Sequence, residues 1–332
     1  MNMTPTPIAS VVVPAYNCEA TIAETLRSIL NQTFSDLELI VVDDGSTDAT
    51  TEIVNGFTDE RIRLISQKNR GLAGAHNTGI YHARGRYIGF CDADDLWLPE
   101  KLELHVAHLE TNPDVGISFS ASAMIDQHGR RLGISQKPKL RGITAADVFK
   151  RNPIGNGSTP VMRRAALDAI AFRPAGEEER DWWFDENFRQ SDDIEGWLRF
   201  ILSSDWLIEG IPGDLTLYRI HTGALSANVE AQYDTWCRMK DKIAAISPML
   251  VRRHGAAATA YQLRYLARRA VSSRDGKRAA RFMRRSIWAS RRPLREEPIK
   301  TMVTWSAAEL LSLFGRGIYN RVEARLLSSK AG

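Results

Sequence analysis

The feature that most constrains the fold of this chain is the alternation of short apolar runs with amphipathic segments over residues 1–115. The runs "IASVVVPAYN" and "LELIVVDDGSTD" have the length of buried strands and end in turn residues. Between them, "CEATIAETLRSILNQT" places Ile22, Leu26, Ile29 and Leu30 on one helical face. Alternation of this kind predicts an α/β fold, a mostly parallel sheet with helices on both faces.

The same alternation continues along the chain and then weakens. Strands are predicted in "RIRLISQ" and "GRYIGFCDADD", and helices in "DATTEIVNGF" (capped near Ser46 or Asp48), "GLAGAHNTGIYHAR" and "LPEKLELHVAHLET". Beyond residue 115 we expect a strand in "VGISFSASAMI", a strand and helix start in "PIGNGSTPVMRRAAL", a helix in "SDDIEGWLRFILSS" and a strand or hairpin in "IEGIPGDLTLYRIHTGALS". The pattern predicts an α/β domain over 1–230, with halves 1–115 and 116–230, and a helical region over 231–332.

Charge divides the chain at about the same place. Residues 1–230 carry 22 Lys and Arg against 33 Asp and Glu, a net of −11, whereas residues 231–332 carry 22 against 7, a net of +15; the sum is the overall +4. So basic a region indicates an anionic partner. No nucleic-acid reader motif accompanies the charge, so we do not expect a nucleic-acid partner.

The sequence also indicates a cellular compartment. The cysteines Cys18, Cys91 and Cys237 are scattered without metal-ligand spacing, which favours a reducing compartment. No apolar run approaches the ~18 residues of a membrane span. The N-terminal run is short, stops at Pro14 and follows no basic segment, so it predicts a first strand rather than a signal peptide. We therefore expect a cytoplasmic protein.

Acidic residues follow two of the predicted strands. Asp43 and Asp44 end one strand, and Asp92, Asp94 and Asp95 end another. Ligands of open parallel sheets bind beyond the carboxyl ends of the strands. Carboxylates this close repel, and a divalent cation with its bound ligand would offset that cost. The alternatives are helix caps or a solvated turn, since Asp, Ser and Thr are all good caps.

Two motifs in the second half carry further titratable groups. "SDDIEGWLR" places Asp192 and Asp193 at a helix start, where they suit either a general base or the helix dipole. "YRIHTGALS" places Arg219 and His221 on one side of an extended segment, facing phosphates or a metal, or simply forming an exposed edge.

Two loops have weaker signals. The glycines and amides of "QKNRGLAGAHNTGI" would let backbone N–H groups face an anion. The aromatic rings of "DWWFDENF" suit stacking against a sugar, although a packed corner is the commoner reason for a Trp pair.

Taken together and in order, six motifs of this chain resemble those of an inverting family 2 glycosyltransferase with the GT-A (Rossmann-like) fold. They are "VVVPAYN", "VVDDGSTD", "NRGLAGAHNTGI", "GRYIGFCDADD", "SDDIEGWLR" and "YRIHTGALS". The resemblance covers residues 10–226, about two thirds of the chain, and leaves out the C-terminal hundred residues. It implies that residues 1–115 bind a nucleotide-sugar donor and residues 116–230 an acceptor.

The resemblance implies a role for individual residues. Asp44 would contact the nucleotide base, with Asp43 in support. Asp92-Ala93-Asp94 matches the family's DxD motif, so Asp94 would bind Mn²⁺ or Mg²⁺, with Asp92 near the metal or the ribose. The other implied donor-site residues are Pro14, Ala15, Tyr16, Asn69, Gly74, His76, Asn77 and Arg219.

The resemblance also implies the catalytic base, which is Asp193, preceded by Asp192 where the family usually has Glu; Trp197 and Arg199 fit the motif as well. His221 matches a histidine that approaches the metal or the diphosphate. One departure is His76, where the family often has an arginine. We expect acceptor recognition from residues 152–190, with Asn156, Trp182, Trp183 and Asp192 as candidates.

The expected function is metal-dependent, inverting transfer of a sugar from a nucleoside-diphosphate sugar, with a bias toward uridine, to a hydroxyl of a glycan or lipid-linked acceptor in surface polysaccharide or glycolipid synthesis. The basic C-terminal helices favour peripheral attachment to the anionic inner face of the plasma membrane. The alternatives for these helices are packing on the catalytic domain and a homo-oligomer surface.

Other functions remain as alternatives. A sugar nucleotidyltransferase would normally have a Gly-rich basic loop after the first strand, and a dinucleotide oxidoreductase would have G-x-G-x-x-G; "VVVPAYNCEA" has neither. A non-catalytic nucleotide-sugar or glycan-binding protein is the alternative of a different class.

Overall fold

Strands and helices alternate through the first part of the computed structural model, which describes residues 6–220 and 229–328. The described chain forms two compact units, residues 6–148 with 152–220, and residues 149–151 with 229–328.

Up to residue 220 the chain contains most of its strands and its shorter helices. In order these are β1 Ala9–Ala15, α1 Ile22–Leu30, β2 Leu37–Asp43, α2 Thr50–Asn55, β3 Ile62–Ser66, α3 Gly71–His82, β4 Tyr87–Phe90, β5 Leu96–Trp97, α4 Lys101–Thr111, β6 Val115–Ile125, β7 Arg131–Ser135, α5 Ala145–Lys150, β8 Val161–Arg163, α6 Arg164–Asp168, α7 Asp192–Ser203 and β9 Leu207–Arg219.

The strands form one sheet in the order β3-β2-β1-β4-β8-β6-β9-β5, with β7 on β6. β1, β2, β3, β4, β6 and β9 run in one direction, and β5, β7 and β8 run in the other. The expectation of an α/β fold with a mostly parallel sheet is therefore confirmed. Ala15 pairs with Asp43, so β1 and β2 end at the same level. The loops after these strands consequently meet at the carboxyl edge of the sheet.

The core of this unit forms from the residues that the sequence pattern marked as apolar. Every residue of β1, β2 and β4 is buried. Ile22, Leu26 and Ile29 of α1 are fully buried in the same hydrophobic cluster. Burial of one helical stripe against buried strands is the main source of stability in such a layer.

Several short elements differ from the sequence-based expectation. β5, β7 and α5 were not predicted. β5 has two residues and exists through its pairing with β9, Leu96 with Leu217 and Trp97 with Thr216. The acids before it lie around a turn at Ala93 and Asp94, and this turn leads into a strand rather than directly into a helix. β9 is a single strand with register shifts against β6, not a hairpin.

The second unit is helical, as the sequence predicts from about residue 231. Its helices are α8 Val229–Ile246, α9 Pro248–Ser272, α10 Gly276–Ala289, α11 Arg292–Glu296 and α12 Pro298–Ser328. Its core includes Leu266, Phe282, Met283 and Ala308. α12 is interrupted at Gly315, whose φ of 72° is left-handed. In the described residues, none of the helices is long and apolar enough to cross a membrane.

A buried lysine lies at the start of α4. Lys101 is fully buried, and its Nζ donates to the Thr159 carbonyl at 2.7 Å and lies 3.2 Å from His105 Nε2. The ammonium sits 4.9 Å from the centre of the Trp97 ring. Burial disfavours the charged form and lowers the pKa of Lys101 to about 7.

Replacing this lysine should give a pH-dependent gain in stability. In the unfolded chain Lys101 stays protonated to about pH 10. Between pH 7 and pH 10 only the unfolded state binds this proton, so the cost of the buried charge is greatest below pH 7 and falls as the pH rises. We expect the free energy of unfolding of Lys101→Met, relative to the unsubstituted protein, to be about 3 kcal/mol more favourable at pH 6.5 than at pH 9.5. Urea denaturation at both pH values measures it.

The matched control is Lys137→Met, because Lys137 is exposed. Its effect should be small and the same at both pH values. An effect of Lys101→Met that does not change with pH would contradict a neutral buried lysine.

Candidate active site

Three carboxylates follow β4, and the structure treats them differently. The Asp92 backbone N–H donates to Ser158 Oγ at 2.9 Å. The buried Oδ1 of the Asp92 side chain accepts no hydrogen bond from the part of the chain that the structure describes. Burial, with the charges of Asp94 and Asp193, raises the pKa of Asp92 to about 7. A buried carboxylate oxygen without a donor is costly, so this position suits a ligand.

Asp95 is the structural member of the three. Its fully buried carboxylate accepts from Ser158 Oγ at 2.5 Å and from the Arg219 N–H at 2.9 Å. Burial, followed by the charges of Asp92 and Asp94, raises the pKa of Asp95 well above its usual value. These bonds join the end of β4 to the loop before β8 and to the end of β9.

The pair of acids at the start of α7 lies beside Asp92. The Asp193 Oδ2 accepts from Asn152 Nδ2 at 3.0 Å, and burial raises the pKa of Asp193. Burial, with the charges of Asp193 and Asp92, raises the pKa of Asp192 to about 8. Two motifs about a hundred residues apart in sequence are thus brought into one group of acids. A perturbed acid group of this kind, in a fold that binds ligands at this edge, is a candidate active site.

The two acids at the end of β2, Asp43 and Asp44, form hydrogen bonds within the protein. The Asp44 carboxylate accepts from the N–H groups of Arg70 and Gly71, each at 2.8 Å, and from Gln67 Nε2 at 2.7 Å. It thereby satisfies free N–H groups at the start of α3. Asp43 accepts from the Ser46 N–H and from Thr51 Oγ1, both at 2.9 Å. A nucleotide base would share Asp44 with three protein donors.

Arg219 is also engaged inside the protein. Its buried guanidinium donates to the Asp94 carbonyl at 2.7 Å and forms an ion pair with Glu24 at 2.7 Å. It donates to the carbonyls of Asp126 and Gln127, each at 3.2 Å. Arg219 therefore holds the backbone of the Asp92–Asp94 loop in place. His221 lies outside the described residues.

A buried polar network joins α3 to the segment before α7. The amide of Asn77 makes four hydrogen bonds: it donates to the Phe184 carbonyl and to Glu186, and accepts from the N–H groups of Trp183 and Phe184. Arg180 pairs with Glu186 at 2.9 Å and donates to Thr78 Oγ1.

Arg70, just before α3, binds the same segment from the other side. Its guanidinium pairs with Glu177 at 2.6 Å, Glu186 at 2.8 Å and Glu179 at 3.1 Å. The roles of Arg70, Arg180 and Glu186 were not anticipated from the sequence. The only signal was the density of charge in "EEERDWWFDENF", which also suits an exposed loop.

The comparisons with known proteins identify the family and the fold of this chain. Residues 10–171 match the family described as Glycosyl transferase family 2. The Escherichia coli UDP-Glc:alpha-D-GlcNAc-diphosphoundecaprenol beta-1,3-glucosyltransferase WfaP is 32% identical over 222 residues, which are 67% of this chain and 80% of that protein. The chain belongs to glycosyl transferase family 2. The E. coli enzyme WfgD, described by the same activity, is 42% identical over 178 residues, 53% of this chain and 68% of that protein.

Solved structures show the fold of this glycosyltransferase. Staphylococcus aureus TarS 1-349 in complex with UDP superposes with a TM-score of 0.59 at 18% identity, covering 92% of this chain and 90% of that chain. The mannosyltransferase PcManGT from Pyrobaculum calidifontis, in complex with GDP-Man and Mn²⁺, gives 0.58 at 21% identity, covering 93% and 86%. The expected GT-A fold is confirmed.

The first motif of the glycosyltransferase lies at the carboxyl edge of the sheet. Pro14 and Ala15 are buried in β1, and the Ala15 carbonyl accepts from the Asp44 N–H at 2.8 Å. Tyr16 follows with its side chain 53% exposed, so it is available to a ligand. Ala93 is buried, and its carbonyl accepts from the hydroxyl of Thr25 at 2.9 Å.

The family's frequent arginine is replaced here by a neutral histidine. His76 is buried between Phe90 and Phe184, with ring centres 5.2 and 5.4 Å apart. Burial lowers its pKa to about 4, and among the described residues neither ring nitrogen has a hydrogen-bond partner. His76 therefore cannot supply the positive charge of an arginine at physiological pH.

Two other residues predicted for the donor site, Gly74 and Asn69, make contacts within the protein. A Cβ on Gly74 would lie 2.4 Å from the Cβ of Arg70, so a larger residue does not fit there. Asn69 Nδ2 donates to the Asp44 carbonyl at 3.0 Å.

The residues expected to bind the acceptor are largely packed. Asn156 donates to Ser122 Oγ at 2.9 Å and accepts from the Ser158 N–H at 3.1 Å. Trp183 is buried. Trp182 is half-buried, and its Nε1 donates to Glu177 at 2.9 Å. These contacts fit the packed-corner alternative for the Trp pair, and a role in acceptor binding stays a prediction.

Removing the Asn77 amide should destabilise the enzyme strongly. Asn77→Ala leaves the buried N–H groups of Trp183 and Phe184 without their acceptor, which we expect to cost about 3 kcal/mol in the free energy of unfolding. Urea denaturation measures the loss. The matched control is Asn187→Ala, whose amide donates only locally to Asp185. Equal losses in the two variants would contradict the special role of Asn77.

Proposed function

We propose that this family 2 glycosyltransferase moves a sugar from a UDP-linked donor to a hydroxyl of a lipid-linked glycan, with inversion, in surface polysaccharide synthesis. The carrying observation is the group formed by Asp92, Asp94, Asp192 and Asp193, in which Asp92 keeps a buried oxygen that no donor of the described residues reaches. The donor and acceptor classes are supported by the names of WfaP and WfgD, which specify UDP-Glc and a diphosphoundecaprenol-linked sugar, and by the complex of TarS with UDP-GlcNAc.

Asp193 has the properties of a general base. Burial raises its pKa, which brings the carboxylate closer to that of an effective proton acceptor at neutral pH. Asn152 holds one of its oxygens. In the proposed step Asp193 takes the acceptor hydroxyl proton while that oxygen forms a bond to the anomeric carbon. The bond from that carbon to the diphosphate breaks, and the nucleoside diphosphate leaves with the electron pair. A single displacement inverts the anomeric centre.

Asp92 and Asp94 fit a divalent cation. Part of the fit is the buried Asp92 Oδ1, which accepts no hydrogen bond from the described residues; burial, with the charges of Asp94 and Asp193, raises the pKa of this carboxyl group to about 7. Among the described residues, no group of three or more His, Cys, Asp or Glu side chains is arranged to hold a metal. The proposed cation would instead take one or two carboxylates and substrate phosphates, as Mg²⁺ and Mn²⁺ commonly do. A bound cation would neutralise charge on the leaving diphosphate. His221 stays a candidate third ligand.

The proposed acceptor implies a location for the enzyme in the cell. A lipid-linked glycan keeps its sugar at a membrane surface, so we propose that the enzyme works in the cytoplasm on the inner face of the plasma membrane. Asn156, Trp182, Trp183 and Asp192 remain the candidates for acceptor contact, and Tyr16, Asp44 and the start of α3 for nucleotide contact.

Asp193→Asn tests the base. We expect kcat to fall by roughly 10²–10⁴ while donor binding stays unchanged, because an amide cannot accept the proton. Transfer to a short-chain polyprenyl-diphosphate acceptor and calorimetry with UDP measure the two quantities. The control is Asp234→Asn, an exposed acid of α8 outside the residues predicted to bind donor or acceptor, which should retain activity. Full activity in Asp193→Asn would contradict the assignment.

Nucleotide binding tests the donor and the metal together. In calorimetry with UDP, GDP, CDP and dTDP, we expect UDP to bind best and only with Mn²⁺, because Asp94 would help to hold a hard cation that neutralises charge on the diphosphate. Asp94→Asn should weaken this binding by at least about tenfold. Binding that does not depend on Mn²⁺, or that Asp94→Asn leaves intact, would overturn the metal proposal; preference for another base would overturn only the choice of UDP.

A further inference from the structure

The helix α12 is apolar on both sides, although only one side packs into the helical unit. Thr301, Thr304, Ala308 and Leu311 are buried, and the last two belong to the core of the unit. These positions recur at three- and four-residue intervals and form one face of the helix. The folding of the unit accounts for this face.

The opposite face of α12 is also apolar, and it is exposed. Ile299, Met302, Val303, Leu313 and Phe314 are exposed, with Ile299 at 79% and Leu313 at 72%. At 100° per residue they fall within an arc of roughly 120°, on the side opposite the buried face. We call these five residues the apolar stripe. It runs along the helix until the left-handed Gly315 interrupts it.

Trp288, in the last turn of α10, adds an exposed aromatic ring. Its side chain is 93% exposed. Folded monomers rarely leave several large apolar side chains together in water unless they mark a site of interaction. Indole rings favour the boundary between apolar and aqueous phases, where one edge packs and the N–H stays hydrated.

The charge around these residues indicates what covers them. Residues 276–325 carry 12 Lys and Arg against 4 Asp and Glu, a net of +8. Arg291, Arg292 and Arg295 are exposed between Trp288 and the start of the apolar stripe, and the exposed Lys300 follows its first residue. Arg292 lies 3.9 Å from Glu296 and Lys300 lies 3.1 Å from Glu297, so these two cations are partly paired within the protein. A second copy of the chain would bring this positive surface against itself, which is unfavourable. An anionic bilayer offers both an apolar interior and opposite charge.

We infer that the apolar stripe and Trp288 insert into the headgroup region of an anionic membrane, while the neighbouring arginines and Lys300 bind lipid phosphates. α12 would lie in the membrane plane, since none of the helices in the described part of the chain can span a bilayer. This docking surface deepens the proposed function by giving the enzyme direct attachment to the phase that holds its acceptor, and it rests on that proposal only for its biological purpose.

Vesicle flotation with the full chain tests the inference. We expect binding to vesicles of phosphatidylcholine and phosphatidylglycerol in roughly equal amounts, and little binding to phosphatidylcholine alone. The triple variant Ile299→Gln, Leu313→Gln, Phe314→Gln should lower the partition coefficient by about tenfold or more. Its folding should be unaffected, because all three side chains are exposed. The double variant Arg291→Gln, Arg292→Gln should weaken binding to a similar extent and remove part of its salt dependence.

The matched control is Leu132→Gln with Ile134→Gln, two exposed apolar residues of β7, which should bind vesicles like the unsubstituted protein. Absence of binding to anionic vesicles, or equal binding by the triple variant, would overturn the inference. The inference would also be overturned if sedimentation showed a dimer that the three substitutions dissociate while vesicle binding persists. Calorimetry with UDP separates the two proposals. A protein that binds UDP but not anionic vesicles would overturn only the docking surface. A protein that binds anionic vesicles but not UDP would overturn only the proposed donor.

Discussion

The burial of carboxylates at one edge of the sheet is the constraint on which the site depends. Carboxylates placed together in a poorly solvated region repel one another and favour protonation. The fold gives both Asp95 oxygens a hydrogen-bond donor, Ser158 Oγ and the Arg219 N–H, whereas Asp92 Oδ1 has none among the described residues. Such a residue reduces stability unless something positive binds it. Asp92 is therefore where we propose that the substrate and its cation bind, whereas Asp95 is part of the framework.

The framework works by fastening distant segments to α3. Asp44 binds the first N–H groups of this helix, and Asn77, together with Arg180, fixes the segment that leads into α7. Because α7 begins with Asp192 and Asp193, the orientation of the proposed base is set by contacts made along α3. A change at Asn77 would thus reach the reaction without touching a substrate, by displacing the segment before α7.

The sequence predicted what depends on local pattern. β1 and α1 have strong hydrophobic periodicity. The position of the acids at one edge follows from the topology of a parallel sheet, in which the carboxyl ends of the strands lie together. β5 could not be found this way, since its two residues form a strand only by pairing with Leu217 and Thr216. Arg219 has the residue type expected for a phosphate contact, yet its guanidinium faces backbone carbonyls and Glu24. Which partner a buried cation selects is a tertiary property. The exposed face of α12 was hidden for a similar reason, because a helix with apolar residues on two opposite faces does not reveal which face packs.

The opposed charges of the two regions follow from the same electrostatics. Residues 1–230 carry a net charge of −11, so this part of the chain repels anions at long range, and the proposed nucleoside-diphosphate donor would need a cation and local N–H groups to bind. Residues 231–332 carry +15, and charge of this sign favours an anionic bilayer within about a Debye length, roughly 8 Å at physiological salt. On the membrane proposal, lipid phosphates would be drawn to the basic region rather than to the acidic site. If the two charges were merged into one neutral surface, that attraction would weaken, while the buried carboxylates would still repel one another. Separate charges would let one chain bind an anionic surface and keep an acidic site for the proposed cation and donor.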